Sequence, residues 1–453
     1  MSLPLVSRRV RVLSVLLAGL NAVLSSVFQL LVVYRLGVGQ MSDLYYGATI
    51  VVIAIFTIYL DPLSNVLIPM FVEKEADGNN EKVELFWNSM FVVFLFGAAI
   101  VLVTYFPMRL AFPLIYKSLR WVNHGEVGKI VAFYSIYLIL FGAITVKNCY
   151  LFACGRPVAA QSNMLVSWIT SVLLISRLDV ATDVSRIAYC LIGGGVAGLA
   201  FPNLDRSTFF FRGTHFRAHL SALIRRGWLL TSGSAIFKAE SLLDGAIASF
   251  FGAGSLTVYQ LFSRMLLSVS TIINSGYIQP VTKHLAEAAK QGQWSSLKGQ
   301  ARKSAFWASA AGMACLIPLV PILLILNARP KHALDVFVQL FGRNQGVFLL
   351  MLGYLVGSLI WKVYATGLIV LNRGRLFALL CVSTFLVGVV LKILGAYSAG
   401  LAGLALGTSL YWILGAACMA AGFWRSLRVR QDPSWARSPE LPSEIVPKFG
   451  SAD

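Results

Sequence analysis

Residues 11–34 read RVLSVLLAGLNAVLSSVFQLLVVY, one arginine followed by 23 residues with no formal charge. At about 1.5 Å per residue that run makes a helix of roughly 35 Å, enough to cross a ~30 Å hydrocarbon core. Comparable apolar runs recur at 44–72, 83–106, 129–154, 158–176, 185–204, 227–250, 255–282, 303–326, 344–371, 375–396 and 399–424. Irregular backbone cannot face lipid, so the runs predict an all-α polytopic membrane protein with about twelve transmembrane helices. Composition agrees, with 57% hydrophobic and 13% charged residues and a mean hydropathy of +0.75.

The net charge of +19 does not mark a nucleic-acid surface, because the basic residues fall in short loops between apolar runs, where they set topology. All six cysteines (Cys149, Cys154, Cys190, Cys315, Cys381, Cys418) sit in apolar segments without metal-ligand spacing, so neither a metal site nor a disulfide framework is expected. Arg8, Arg9 and Arg11 before an apolar run resemble a signal peptide, but the run continues to about Tyr34 without a small-residue cleavage site and reads as a retained first helix. The five histidines (His124, His215, His219, His284, His332) lie in loops, and Gly193-Gly194-Gly195 lies within a span, where it permits close helix packing rather than cradling phosphate. No catalytic constellation emerges, no cofactor is implied, and no loop is large enough for a soluble catalytic domain. Transport is expected, not catalysis.

An even number of crossings puts both termini on one side. That side carries 23 Lys and Arg in its loops and tails against 10 on the other, so both termini are expected in the cytoplasm. The halves also resemble each other. Gly37-Val38-Gly39 matches Gly252-Ala253-Gly254, Pro69 matches Pro280, Arg156 matches Arg373, and Gly198-Leu199 matches Gly403-Leu404, in order and at near-constant offset. Six spans per copy preserve direction, so the repeats are parallel, related by an axis along the membrane normal. The expected organisation is a six-helix lobe over 1–204, a basic cytoplasmic linker over 205–226, a second six-helix lobe over 227–424, and a disordered cytoplasmic tail over 425–453.

Ionisable groups at membrane depth need a partner, a wet cavity or a role. The candidates are Lys147, Lys238, Arg264, Lys362 and Lys392 against Asp61, Glu240 and Asp244, which leaves two positive charges in excess. Lys147, Lys238 and Lys362 read as lining a cationic, cytoplasm-facing cavity for an anionic headgroup, with structural pairing or snorkelling as the plainer reading. Lys392, near a helix end, is expected to snorkel. Glu240 and Asp244 share one helix face and are expected to pair with Arg264, the alternative being a coupling cation or proton. Asn21, Ser25 and Gln29 form a polar stripe with Ser26 at its flank, suited to interhelix hydrogen bonds or to lining a cavity.

Two stretches carry a family resemblance. Tyr34-Arg35-Leu36-Gly37-Val38-Gly39-Gln40-Met41-Ser42-Asp43-Leu44-Tyr45-Tyr46, followed by Ile68-Pro69-Met70-Phe71-Val72-Glu73, resembles the first repeat of the MurJ-type lipid II flippases. Leu243-Asp244, Ala248-Ser249-Phe250, Gly252-Ala253-Gly254-Ser255, Tyr259, Arg264 and Gln279-Pro280 resemble the second. The resemblance implies the multidrug/oligosaccharidyl-lipid/polysaccharide (MOP) exporter superfamily: two lobes in a V around a central cavity, with Asp43, Asp244 and Arg264 as family-motif positions. The arginines that lipid II flippases carry in the first helix fall on Ala22 and Phe28 here. Gly245 stands where an arginine follows the aspartate, and the two extra C-terminal helices usual in that family are not expected in this chain.

The expected function is therefore a flippase of the bacterial inner membrane. It moves a polyprenyl-pyrophosphate-linked oligosaccharide to the periplasmic leaflet for surface polysaccharide synthesis. Lipid II is the first alternative and cation-coupled drug export the second. Expected partners are the lipid-linked glycan, membrane lipids, a polysaccharide polymerase and glycosyltransferases.

Overall fold

The computed structural model describes residues 8–77, 79–116, 124–180, 183–205, 208, 215–278, 281–282, 285, 288–289, 291–316, 342–371 and 373–431. Among these the chain is helical throughout, without a strand. The first lobe holds α1 (Arg8–Leu36), α2 (Gln40–Asp77), α3 (Asn79–Ile115), α4 (His124–Ala153), α5 (Pro157–Arg177) and α6 (Ser185–Ala200). The second holds α7 (Phe216–Ala248), α8 (Ser255–Ile273, continued by a π-helical turn Asn274–Ile278), α9 (Trp294–Ala314), α10 (Arg343–Val370) and α11 (Gly374–Gln431). The helix α11 breaks at Ala399 and Gly400, where φ of +59° at Gly400 lets the chain reverse, and its two arms pack back to back with Gly395 against Gly403. With those arms counted separately, the described residues hold twelve helices, six in each of the two parallel repeats that the sequence led us to expect.

Local chemistry sets the ends. The N–H of Gly37 closes α1 on the Val33 carbonyl at 2.8 Å, with φ of +73°, a left-handed position that glycine fills without strain. Its repeat partner Gly252 is also left-handed, at +101°. Pro157 opens α5 at a position where a missing N–H costs nothing. Before α6, Asp183 accepts from the Ser185 amide at 2.9 Å and its hydroxyl at 2.7 Å, and that hydroxyl holds the carboxyl below the usual carboxylate range. Within the triple glycine, Gly194 lies directly on Ser167 and Ser171 of α5, leaving no room for a β-carbon.

Among the described residues, seven helices are long and apolar enough to cross a membrane by length and composition, α11 with its two arms among them. The outer faces suit lipid: Leu386, Val390, Ile393 and Leu394 of α11 are all about half exposed, a stripe that would aggregate in water. Two expected boundaries shift. The second half of the 205–226 linker is already α7, and α11 runs on through Gln431 before the rest of the tail leaves the described residues.

The linker is fastened to the first lobe. Trp87 donates to the Thr208 carbonyl at 2.6 Å, Glu84 meets His215, and Asn88 lies 2.8 Å from the His219 ring nitrogen. Burial pushes the His219 imidazole below its ordinary pKa, which favours the neutral ring that this contact suits.

Candidate functional site

The lobes meet where α2 packs against α7 and α1 against α8, with α2 and α8 touching between them, and the first contact is a buried carboxylate. Asp43 stands in the first turn of α2 and is fully buried. Its oxygens reach across the seam to the start of α8. Oδ2 accepts from the Gly254 amide at 2.7 Å, and Oδ1 accepts from the Thr257 amide at 2.8 Å and the Thr257 hydroxyl at 2.6 Å. That hydroxyl also lies 2.9 Å from Ser42 Oγ. A helix N-terminus leaves orphan amides and a partial positive charge, and a carboxylate from the opposite lobe satisfies both. The result is an interlobe clasp at the end of the bundle that carries the α1–α2 and α7–α8 turns.

Two helical turns further in, on the same face of α8, is Arg264. Its guanidinium donates to Gln29 Oε1 of α1 at 2.9 Å and to Thr49 Oγ1 of α2 at 3.2 Å, and it lies 4.7 Å from the centre of the Tyr46 ring. Tyr46 donates to the same Gln29 oxygen at 3.3 Å. Tyr45, Tyr134 and Tyr137 continue from Tyr46 in edge-to-face contacts, so one cation of the second lobe faces an aromatic wall of the first. Arg264 thus does not pair with Asp244, as the sequence suggested. Five residues separate it from Tyr259, roughly 140° around the helix, and it is Tyr259 that faces Asp244.

A third cluster lies inside the second lobe. Lys392, 1% exposed, holds Glu240 Oε1 at 2.6 Å and Asp244 Oδ1 at 2.8 Å. Trp412 donates its indole N–H to the same Glu240 oxygen at 3.1 Å, and the Tyr259 hydroxyl donates to Asp244 Oδ2 at 2.6 Å while lying 2.8 Å from Thr408. The ammonium sits 4.8 Å from the centre of the Tyr411 ring. Lys392 does not snorkel. Its position near a helix end suggested a route to the interface, but its side chain turns inward to two carboxylates 152 and 148 residues earlier in the chain.

The other candidates separate. Lys147 is buried in the first lobe, where its ammonium donates to the carbonyls of Leu199 at 2.9 Å and Phe201 at 2.7 Å. It caps the C-terminus of α6, as a cation at a helix end should. Lys362 donates to Ser270 of α8 at 2.8 Å. The Lys238 side chain and the Asp61 side chain lie outside the described residues. Asn21 donates to Gln161 of α5 at 3.0 Å, so the polar stripe of α1 makes interhelix bonds at both Asn21 and Gln29. The structure therefore does not gather Lys147 and Lys362 into one cationic cavity. Ser42, Thr49, Tyr46, Thr257, Tyr259, Thr408 and Trp412 complete the three clusters and were not singled out for these roles from sequence. The repeat offset was the signal for three of them, since it pairs Ser42 with Thr257 and Thr49 with Arg264.

Lys147→Met is expected to lower melting temperature and folded yield, because each buried carbonyl left without a donor costs about 1–3 kcal/mol. Lys147→Arg should recover part of the loss. Fluorescence-detected gel filtration and a thermal melt decide it. A normal melt with transport abolished would return Lys147 to the substrate path.

A family model described as lipid II flippase MurJ matches residues 32–334. Among curated proteins no match is found. The solved structures include an inward-facing multidrug resistance MATE family transporter of the MOP superfamily, with TM-score 0.68 and 13% identity, covering 93% of this chain and 99% of that one. They also include lipid II flippase MurJ in an inward closed conformation, with TM-score 0.67 and 15% identity, covering 93% and 91%. An outward-facing MATE family transporter gives TM-score 0.65 at 14% identity, covering 93% and 95%. At such identities the structural likeness speaks for the fold alone.

Proposed function

The chain belongs to the MurJ family, and from that premise we propose that it flips a polyprenyl-pyrophosphate-linked oligosaccharide from the cytoplasmic to the periplasmic leaflet of a bacterial inner membrane. The observation that carries this reading is Arg264, a cation of one lobe set against the tyrosine wall of the other. A guanidinium matches the geometry of diphosphate oxygens, and aromatic faces suit sugar rings. With both termini in the cytoplasm, the Asp43 clasp lies at the periplasmic end, so this state is sealed towards the periplasm. Parting the clasp would expose the Arg264 region to the far side.

Two features favour a glycan other than lipid II. The positions of the family's first-helix arginines hold Ala22 and Phe28, and Phe28 is fully buried near Trp168. Gly245, after Asp244, has Ile50 Cδ1 3.0 Å from where a β-carbon would stand, so any larger residue there would press on the Ile50 side chain. The surface glycan would then pass to a polymerase, with glycosyltransferases supplying the cargo. Lipid II is the second reading, favoured by the family model itself. Drug export has only the likeness of fold.

Deleting the gene is expected to abolish one surface or extracellular polysaccharide without lysis. Its product, at normal expression, should not sustain cells depleted of their lipid II flippase. Polymer yield and growth after depletion are the measurements, and robust rescue would make lipid II the cargo.

A further inference from the structure

We propose that the end of the second lobe carrying the starts of α9 and α11 and the last turns of α11 is a binding surface for anionic phospholipid headgroups. Composition is the first observation. Residues 291–316, 342–371 and 373–431 make up α9, α10, α11 and their flanks, and they contain no aspartate or glutamate. At this end they expose Lys298, Arg302, Lys303, Arg375, Arg425 and Arg428. Among the described residues none of the six is in an ion pair. The same end of the first lobe neutralises cations of its own: Lys74 holds Glu81 at 2.6 Å, and Arg156 holds Asp205 at 3.1 Å. The second lobe leaves its charge to an anion from outside.

The cations border an aromatic floor. The Lys298 ammonium lies 5.4 Å from the centre of the Trp424 ring, and Trp424 packs tilted on Tyr364 of α10 at 5.8 Å. Lys298 and Arg302 are one turn apart on α9, and Trp424 and Arg428 one turn apart on α11, so each pair shares a helix face and the two faces meet at the Lys298–Trp424 contact. An ammonium and two guanidiniums around an indole suit a phosphodiester at the membrane interface, where tryptophan itself is favoured.

The step from charge to apolar surface points to the bilayer rather than to a soluble acidic protein. One turn deeper into the membrane, Arg302 is followed by Phe306, Lys303 by Trp307 and Arg375 by Leu379, and these three are 66%, 59% and 65% exposed. Each cation stands above a large apolar side chain on the same strip of helix. An acidic protein would satisfy the cations and leave the strip below them uncovered. A phospholipid brings both chemistries in one molecule and in that order, headgroup outside and acyl chains within. With both termini in the cytoplasm, as proposed above, the headgroups are those of the cytoplasmic leaflet, which is rich in anionic lipid. The proposal rests on that orientation only for which leaflet supplies the lipid.

The test is native mass spectrometry of the purified full chain in detergent, titrated with phosphatidylglycerol or with phosphatidylcholine of the same acyl chains. The wild type should retain phosphatidylglycerol in preference. Each cation beside an anionic surface contributes a factor of about five, so Lys298→Gln/Arg302→Gln/Arg428→Gln should weaken retention by roughly a hundredfold. Lys74→Gln, in the first lobe, should leave it unchanged. Thermal melts confirm that the variants fold, and the wild-type preference decides even where the triple variant does not. Equal retention of the two lipids by the wild type overturns the proposal, as does a folded triple variant that binds like the wild type. Displacement of phosphatidylglycerol by millimolar inorganic diphosphate also overturns it and assigns the cations to a soluble phosphate compound, and displacement by polyglutamate assigns them to an acidic protein. Transport plays no part in these readouts. Failure here leaves the proposed glycolipid standing, and a different cargo leaves the lipid surface intact.

Discussion

Ser42→Cys/Thr257→Cys, made with the six native cysteines replaced, is expected to lose essentially all transport on oxidation and to regain it on reduction. The two hydroxyl oxygens lie 2.9 Å apart across the lobe seam. A disulfide needs a sulfur separation of about 2.05 Å with β-carbons ~3.5–4.5 Å apart, so the helices need to shift little to close it. The substitutions leave both backbone amides on Asp43, and the clasp should still form. Once covalent, it cannot part, and a carrier that works by separating its lobes at this end is held on one side. Thiol labelling reports the crosslink, and polymer output or leaflet assignment of the glycolipid reports transport. Full transport with the bond formed would mean that the lobes do not separate here.

Arg264→Ala should cost about ten- to hundredfold in transport at matched protein abundance. One charge-assisted hydrogen bond contributes roughly 1.5–3 kcal/mol, and about 1.4 kcal/mol is a factor of ten, so this range corresponds to losing the net equivalent of one such bond during transport. Arg264→Lys should recover little, although it keeps the charge. One ammonium cannot span Gln29 and Thr49 while lying flat over Tyr46 as the guanidinium does. Near-normal transport by the alanine variant would remove Arg264 from the mechanism and leave it as an interlobe brace. A lysine variant as active as wild type would instead show that charge alone suffices.

How far these sites were legible depends on what each one needed. Hydropathy exposes apolar runs one at a time, so the twelve crossings and the reversal near Ala399 could be read directly. The duplication showed in glycines whose left-handed φ leaves little choice of residue, Gly37 and Gly252. Asp43, Asp244 and Arg264 were found through family pattern, but their partners were not. Pairing inside a bundle depends on helix rotation and on which helices are neighbours, and sequence spacing gives only the first. Asp244 and Arg264 are on consecutive helices and looked like mates, yet Arg264 points to the other lobe. Lys392 joins Glu240 over 152 residues of sequence, and depth estimated from the helix end gave no hint of it. Lys147 failed for a related reason. Its partners are backbone carbonyls at the end of α6, which have no signature in residue type.

Ser42 touches Thr257 and Thr49 touches Arg264, and each pair is separated by 215 residues, the spacing of the repeat itself. Positions that meet their own counterparts lie on the pseudo-dyad, and in a homodimeric ancestor each would have been a self-contact of an isologous interface. Any residue there would have appeared twice, face to face. Two hydroxyls tolerate that arrangement, as Ser42 and Thr257 still do. Two guanidiniums would repel each other, and two threonines would offer no cation. Joining both copies in one gene lifts this degeneracy, so a single positive charge can stand on the axis opposite a hydroxyl. Arg264 is a residue that a symmetric dimer could not have used in this way.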